Sequence, residues 1–263
     1  MNIQEIVKIL ESAGREIICP ALEQVGTVET KADGSMLTCV DTACQQYIRD
    51  ALETLAPEIA FMGEEMNSQA QQHCLAGHDA FWCLDPLDGT SNFAAGFPVF
   101  ASSLALVRDG RPVMACTHDP LRGETFIAEK GAGAWCNGVR MRVSGGTALN
   151  RAVGFIDFKR LSAPLAAHVA TTPAYHSQRN IGSCALEWAW MAAGRAHFIV
   201  HGRQKIWDYA AGSLLASEAG CAIGDFEGAS LFEEPRLSSP VLAATDTDLR
   251  DQLQHYIATG LST

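Results

Sequence analysis

Turn-forming residues divide positions 100–143 into a series of short apolar strands. Asp109-Gly110 separates strands predicted at 100–107 and 112–117, and Asn137-Gly138 separates 134–136 from 139–143. Because Asp-Gly and Asn-Gly tolerate the positive φ of tight hairpins, these strands are predicted to pair antiparallel. Strands and helices alternate after this region, which is typical of α/β proteins. We therefore predict an α+β part, residues 1–145, and an α/β part, residues 146–263, packed as one unit with the active site between them.

The remaining elements follow from hydrophobic spacing and from capping residues. Apolar residues at helical spacing predict helices at 3–18 and 41–55, separated by a polar loop or hairpin at 31–38. Ser183 is a candidate helix N-cap, and Gly220 is a candidate helix stop. The meander is predicted to include a further strand at 124–129. The second half is predicted to contain strands at 152–155, 178–182, 196–201, 221–223 and 240–244, and helices at 164–170, 183–193, 208–219 and 246–257.

Charge and cysteine content exclude several classes of function. The formal net charge of −11 repels phosphate backbones and anionic lipids, so neither a nucleic-acid partner nor a membrane partner is expected. Nine cysteines without a Cys-x-x-Cys pair indicate reduced thiols, and hence a cytoplasmic protein. The first 14 residues carry acidic side chains at helical spacing, unlike a signal peptide. Zinc, ATP and NAD motifs are also missing from the sequence.

The densest chemical signal is Asp85-Pro86-Leu87-Asp88-Gly89-Thr90, directly after an apolar strand predicted at 81–84. Two carboxylates at the carboxyl end of a buried strand lie where α/β sheets bind ligands. Carboxylate and carbonyl oxygens suit Mg²⁺ or Mn²⁺ rather than Zn²⁺. A helix that begins at Gly89-Thr90 would present its positive end to an anion. The alternative is an ordinary turn with no ligand.

Two further acidic segments could contribute to the same site. Glu64 and Glu65 follow the short apolar run 61–63, and Asp208 stands at a predicted helix start. The alternatives are a solvated loop for the two glutamates and a simple N-cap for Asp208. Convergence of these segments on one point predicts a metal-bound phosphate site.

Together these segments resemble the inositol monophosphatase family of lithium-sensitive phosphatases. The resemblance rests on Gly63-Glu64-Glu65, on the 85–90 segment, on Trp207-Asp208 with the following Ala-Ala-Gly, and on Thr38 with Asp41. It spans nearly the whole chain in order. It implies a five-layered αβαβα sandwich, a homodimer, and Mg²⁺-dependent hydrolysis of a phosphate monoester.

The resemblance also assigns roles to individual residues. It places two or three Mg²⁺ ions per site, with Mn²⁺ as a substitute, on ligands from three segments: Glu64, Asp85, the Leu87 carbonyl, Asp88 and Asp208. The phosphate would contact Asp88 and the backbone N–H groups of Gly89 and Thr90. Attack by a metal-activated water is expected, oriented by Glu64 and by the Thr90 hydroxyl. Asp41 would accept a hydrogen bond from that hydroxyl.

Substrate identity is less constrained by the sequence. Ser183 and Cys184 resemble the family segment that meets the substrate ring, whereas His201 stands where inositol-specific relatives carry a glutamate. The expected substrate is a small polyol, sugar or amino-alcohol phosphate. Histidinol phosphate, a 3′(2′),5′-bisphosphate nucleotide, and a mainly regulatory role as a binding protein remain alternatives.

Overall fold

The computed structural model describes residues 2–24, 35–77, 79–233 and 236–261. The first half begins with α1 (Ile3–Ala13), which continues through a π-helical turn (Gly14–Ile18) into α2 (Cys19–Leu22). It further contains α3 (Ser35–Leu55), β1 (Ala60–Gly63), α4 (Ser68–Gly77), β2 (Ala80–Asp88), α5 (Thr90–Ala94), β3 (Ala101–Arg108), β4 (Arg111–Asp119), β5 (Glu124–Glu129), β6 (Gly133–Cys136) and β7 (Val139–Met141).

The second half alternates strands with helices, as the sequence predicts. It contains β8 (Val153–Asp157), α6 (Ala163–Thr171), β9 (Ser177–Arg179), α7 (Cys184–Ala192), β10 (Phe198–Lys205), α8 (Ile206–Ala219), β11 (Ala222–Gly224), β12 (Ser238–Ala244) and α9 (Thr247–Leu261). Short 3₁₀ turns, Leu149–Arg151 and Phe158–Arg160, flank β8.

These strands form two sheets. The larger sheet has the order β1-β2-β3-β4-β5-β6-β7, in which β1 pairs parallel with β2 and the rest form an antiparallel meander. The smaller sheet has the order β11-β12-β10-β8-β9, with a parallel centre formed by β8 and β10. Asp109 and Asn137 have positive φ at their turns, as the two hairpin predictions require.

The two sheets and the helices stack in five layers. α1 and α3 pack on one face of the larger sheet. α7 and α8 fill the space between its other face and the inner face of the smaller sheet. α6 and α9 cover the outer face of the smaller sheet. The architecture is therefore the αβαβα sandwich expected from the sequence, and its middle layer contacts strands of both sheets.

The structure corrects some predicted boundaries. Positions 35–38 belong to α3, so the loop predicted at 31–38 is wrong there, because Met36 and Leu37 are good helix formers. Positions 31–34 lie outside the described residues. α4 is absent from the prediction because its sequence has no clear apolar stripe.

The two-domain division at 145/146 stays a prediction. Among the described helices, none is both long and apolar enough to cross a bilayer.

Candidate active site

A β-bulge at the carboxyl end of β2 sets the direction of two aspartates. Asp85 pairs with Ser103 of β3 and Asp88 pairs with Ala101, so three steps along β2 match two along β3. Residues i and i+3 of a regular strand point to opposite faces of the sheet. The extra residue of the bulge shifts this alternation by one position, so the Asp85 and Asp88 carboxylates lie on the same side of the strand. The sequence predicts a turn here, whereas β2 continues through Pro86 and Leu87 to Asp88.

The bulge is fixed by contacts from neighbouring elements. The Pro86 carbonyl accepts hydrogen bonds from the Ser102 hydroxyl, at 2.8 Å, and from the Cys44 thiol, at 3.3 Å. The Leu87 N–H donates to Asp85 Oδ1 at 3.1 Å. β3 and α3 thus hold the backbone of the bulge, and the aspartates do not depend on a mobile loop for their placement.

Asp208 joins these aspartates from the other half of the chain. Asp85, Asp88 and Asp208 each have a carboxylate oxygen within 4.8 Å of the others, and we call these three residues the acid cluster. Asp208 is the third residue of α8, and its Oδ2 accepts a hydrogen bond from the Lys205 N–H at 2.8 Å. The helix therefore begins at Ile206 and its N-cap is Lys205, so the prediction of Asp208 as a simple N-cap is wrong; one Asp208 oxygen accepts from the N-cap backbone while the carboxylate still faces the other two.

Glu64 and Asp41 lie beside the acid cluster. Glu64 follows β1, and its N–H donates to the Leu84 carbonyl at 3.1 Å. The Glu64 and Asp85 carboxyl groups are close enough for each to affect the pKa of the other, after the larger effect of burial. Asp41 on α3 is buried, and the charge of Glu64 acts on it. Sequence segments from four places in the chain thus meet at one site.

The cost of crowding these carboxylates appears in their pKa values. Burial raises the pKa of Asp85 well above its usual range, and the charges of Glu64, Asp88 and Asp208 raise it further. Burial is also the main cause that raises the pKa of Glu64 to about 7 and that of Asp208 well above its ordinary value. The ionised set therefore needs compensating positive charge. Because the donors are carboxylate oxygens, hard divalent cations such as Mg²⁺ fit the site.

Asp88 differs from its neighbours because α7 stabilises its charge. Its Oδ2 accepts hydrogen bonds from the Ser183 hydroxyl, at 2.5 Å, and from the Ala185 N–H, at 2.7 Å. Burial raises the pKa of Asp88 to about 6, and the hydrogen bonds from Ser183, Ala185 and the Cys184 N–H oppose this rise. Ser183 is the N-cap of α7, as predicted. Ser183 and Cys184 thus border the site, and their contact with a substrate stays a prediction.

The turn after Asp88 leads into α5. Gly89 has φ of 96°, and a Cβ on it would lie 2.9 Å from the Val99 carbonyl oxygen, so only glycine fits. α5 begins at Thr90, in agreement with the prediction. One predicted contact is wrong: the Thr90 hydroxyl donates to the Leu87 carbonyl at 3.1 Å instead of to Asp41. The Leu87 carbonyl is the nearer acceptor because Leu87 lies only three residues before Thr90, in the bulged end of β2.

His201 is buried near the carboxyl end of β10. Its Nδ1 accepts a hydrogen bond from the Arg203 N–H at 3.2 Å, which places the proton of the neutral ring on Nε2. Nε2 lies 3.8 Å from Asp157 Oδ2. Burial lowers the pKa of His201 to about 4, so the ring is neutral at neutral pH.

Sequence reasoning missed two polar residues beside the site, the half-buried Asn92 and the buried Glu187. Asn92 donates to the carbonyls of Val99 and Ile181, at 2.7 Å each. Glu187 of α7 accepts from the Ile181 N–H at 3.3 Å, and burial raises its pKa to about 8. The signal for Glu187 was available, because it is the one charged residue in the apolar run 184–193.

Comparisons with known proteins agree with this geometry. Residues 2–259 match the model of the inositol monophosphatase family. A protein of Xylella fastidiosa named Nus factor SuhB is 36% identical over 242 residues, which cover 88% of this chain and 83% of that protein. A Thermotoga maritima protein named fructose-1,6-bisphosphatase/inositol-1-monophosphatase is 33% identical over 232 residues, with 84% of each chain covered.

The fold is similar to that of solved relatives. The structure of a Thermotoga maritima IMPase superimposes with a TM-score of 0.79 at 28% identity, and the match covers 97% of both chains. The family match includes every segment that carries an acidic residue of the site. This chain belongs to the inositol monophosphatase family.

Proposed function

We propose that this protein is a Mg²⁺-dependent phosphomonoesterase. One observation carries the proposal: carboxylates from β2 and α8, more than a hundred residues apart in sequence, meet within 4.8 Å in a largely buried site. Ionised carboxylates this close repel one another, and the repulsion destabilises the fold unless bound cations offset it. A binding role without metal would not require the repulsion.

The acid cluster and Glu64 supply the ligands for two or three Mg²⁺ ions. Glu64, Asp85 and the Leu87 carbonyl are assigned to one ion, and Asp85, Asp88 and Asp208 to a second. Glu64, with Asp41 through water, is assigned to a weaker third. When bound, the ions supply charge neutralisation of the phosphate and a lowered pKa for a coordinated water.

The chain's own residues orient the reactants. The Glu64 carboxylate accepts a hydrogen bond from the attacking water and so directs its lone pair at phosphorus. The backbone N–H groups of Gly89 and Thr90 bind the phosphate oxygens at the turn that the positive φ of Gly89 creates. Asp88 stays ionised because Ser183 and Ala185 donate to it. No side chain is required to form a covalent phosphoenzyme.

The substrate class is a small polyol, sugar or amino-alcohol phosphate. Support comes from the Thermotoga maritima relative, whose name includes both a sugar bisphosphatase and an inositol monophosphatase. We further propose a cytoplasmic homodimer that Li⁺ inhibits. All nine cysteines are free thiols, which supports a reducing compartment.

A regulatory role is the second candidate. Several relatives, including the Xylella fastidiosa protein, are named Nus factor, which describes a role other than hydrolysis. The two candidates differ in what they require of the acid cluster. A regulatory surface elsewhere on the fold would tolerate the loss of a metal ligand, whereas hydrolysis would not.

The deciding experiment is release of inorganic phosphate from a panel of esters, with and without Mg²⁺. The panel contains inositol phosphate, histidinol phosphate, fructose bisphosphate and adenosine bisphosphate. We expect Mg²⁺-dependent release by the wild type and a fall of at least about 100-fold in Asp85→Asn, since metal charge stabilises the transition state by several kcal/mol. Full activity of Asp85→Asn would contradict the metal assignment, and no release on any ester would favour the regulatory candidate.

A further inference from the structure

Two glutamine side chains hold the backbone on both sides of Glu64. The Nε2 atom of Gln71, on α4, donates hydrogen bonds to the carbonyl oxygens of Gly63 and Glu64, at 3.0 Å each. The Oε1 atom of Gln45, on α3, accepts a hydrogen bond from the Glu65 N–H at 3.1 Å. The short segment after β1 is therefore bound by side chains from two helices, in addition to its pairing with β2.

Gln71 is buried, whereas the next residue of α4, Gln72, is exposed. A buried amide destabilises a fold unless its polar atoms are paired. The Nε2 atom of Gln71 carries two hydrogens, and the two carbonyls use both of them. Because both neighbours are acceptors, the amide nitrogen has to face them. The side chain is thus committed to the backbone around Glu64.

Gln45 reaches this segment because Gly63 leaves room for it. A Cβ on Gly63 would overlap the Oε1 atom of Gln45, so a larger residue at 63 would displace the glutamine. Gln45 lies four residues after Asp41 on α3, so the two side chains share one face of the helix. The charges of the glutamates at 64 and 65 act on Asp41. This face of α3 is therefore directed at the segment that Gln71 holds from the other helix.

The held segment determines where the Glu64 carboxylate lies. Gly63 pairs with Leu84 of β2, and the Glu64 N–H donates to the Leu84 carbonyl at 3.1 Å. Glu64 is therefore level with the residue after Leu84, which is Asp85, and these two carboxyl groups affect each other's pKa. Glu65, in contrast, is exposed. The direction of the backbone here decides which of two adjacent glutamates faces Asp85.

We propose that Gln71, supported by Gln45, is a positioning residue for Glu64: it fixes the backbone so that this carboxylate, and not that of Glu65, is directed at Asp85. The inference rests on the proposed phosphatase function and deepens it, since Glu64 is assigned there to a Mg²⁺ ion and to the attacking water. A ligand held in place before the ion arrives binds it more tightly, because binding then orders nothing further.

A merely structural role for Gln71 leads to a different expectation. Its hydrogen bonds would then stabilise only the contact of α4 with the end of β1, and their loss would lower stability without changing the affinity for Mg²⁺. Cys74, three residues later on α4, is buried in the apolar core and supports the same helix through packing alone. Replacement of Cys74 therefore reproduces a purely structural effect.

Isothermal titration of the metal-free protein with Mg²⁺, without substrate, measures the affinity directly. Gln71→Met keeps the length of the side chain and removes the donor. We expect this variant to bind Mg²⁺ about 10-fold more weakly than the wild type, as is usual when a residue that orients a metal ligand is lost. Cys74→Ala should lower the melting temperature and bind Mg²⁺ as the wild type does. Gln72→Met, the exposed control, should change neither value.

A double-mutant cycle shows whether Gln71 acts through Glu64. Glu64→Gln removes the carboxylate that Gln71 is proposed to position. Adding Gln71→Met to this variant should then cause little further loss of Mg²⁺ affinity. A full, additive loss in the Glu64→Gln background would show that Gln71 acts by another route, and would overturn the inference.

Gln45 decides the question if Gln71→Met fails to fold, because its side chain is only half-buried. Gln45→Met removes the acceptor of the Glu65 N–H and should also weaken Mg²⁺ binding. Gln45→Glu keeps an acceptor oxygen and should bind Mg²⁺ at least as tightly as the wild type. Equal affinities in Gln45→Met and the wild type, or equal losses in both Gln45 variants, would count against the proposal.

The outcomes separate the inference from the proposed function. If the wild type binds Mg²⁺ and releases phosphate, and Gln71→Met binds Mg²⁺ equally well, the inference is overturned and the phosphatase function stands. A matching loss of affinity in Cys74→Ala would also overturn it, since packing would then explain the effect. If the wild type neither binds Mg²⁺ nor hydrolyses any ester, the proposed function fails and the inference fails with it.

Discussion

The side-chain amide of Asn92 donates a hydrogen bond to the backbone carbonyl of Ile181, at 2.7 Å and across 89 positions of sequence. The same nitrogen donates to the Val99 carbonyl, also at 2.7 Å. Asn92 thus connects the turn that follows the acid cluster to the segment that precedes α7. The N–H of the same residue, Ile181, donates a hydrogen bond to Glu187 Oε1 at 3.3 Å. The two halves of the candidate site are therefore joined by polar side chains as well as by apolar packing.

Replacing Asn92 tests this connection. Asn92→Ala leaves two carbonyls without their donor, and we expect the free energy of unfolding to fall by about 1–3 kcal/mol. KM should rise more than kcat falls, because the 180–183 segment loses its position. Chemical denaturation and steady-state kinetics measure both effects. Asn67→Ala is the control: it removes an exposed helix cap at Ala70, and should lower stability without a change in KM.

Ser183→Ala should move the acidic limb of the pH–rate profile. The Ser183 hydroxyl lowers the pKa of Asp88, so its loss allows that pKa to rise further above about 6. Asp88 then takes a proton at higher pH, and we expect activity to decline earlier as the solution is acidified. The measurement is kcat/KM between pH 5 and 8. Ser183→Thr keeps the hydroxyl and should restore the wild-type profile; an equal shift in both variants would contradict this role.

Asp85→Asn should raise stability when no metal is present. Burial and three neighbouring carboxylates oppose the charge of Asp85, and the amide removes that repulsion. The melting temperature of the metal-free protein is expected to increase by a few degrees. Addition of Mg²⁺ should then raise it less than in the wild type. Asp79→Asn, at an exposed position, serves as the control and should change neither value.

The stability of the metal-free protein should fall as the pH rises from about 4 to 7. The folded-state pKa values of Glu64 and Asp41 are raised to about 7, so the folded protein holds protons that the unfolded chain has released. Stability is therefore greatest below the unfolded pKa and is lost as pH approaches the folded value. Mg²⁺ binds the ionised carboxylates, so its stabilising effect should grow over the same range. Thermal melts at several pH values, with Mg²⁺ or with a chelator, check both trends.

Local patterns predicted most elements because their signals lie within a few residues of each other. Strand β5 matches its predicted bounds, and Ser183 and Gly220 cap the helices that the sequence assigned to them. The acidic segments are also recognisable in the sequence. Their spacing alone, however, could not tell a ligand from a turn residue; only the meeting of distant segments distinguishes the two.

Other features depend on partners that a local pattern does not contain. The bulge that aligns Asp85 with Asp88 exists only in the pairing of β2 with β3. The pairing of Asp157 with His201 likewise requires β8 and β10 to be neighbours. The predicted contact between Thr90 and Asp41 was wrong because a carbonyl three residues away competes for the same hydroxyl.

The placement of Asp208 at the first turn of α8, opposite the end of β2, has a consequence for biosynthesis. Under the proposed metal assignment, a nascent chain that has folded only its meander would contain two of the three clustered carboxylates and would bind divalent cations weakly. Tight ion uptake therefore has to wait until α8 has docked. Tight binding of cations would thus indicate that α8 has docked, and a chain that stops folding before this step would lack the proposed phosphatase activity.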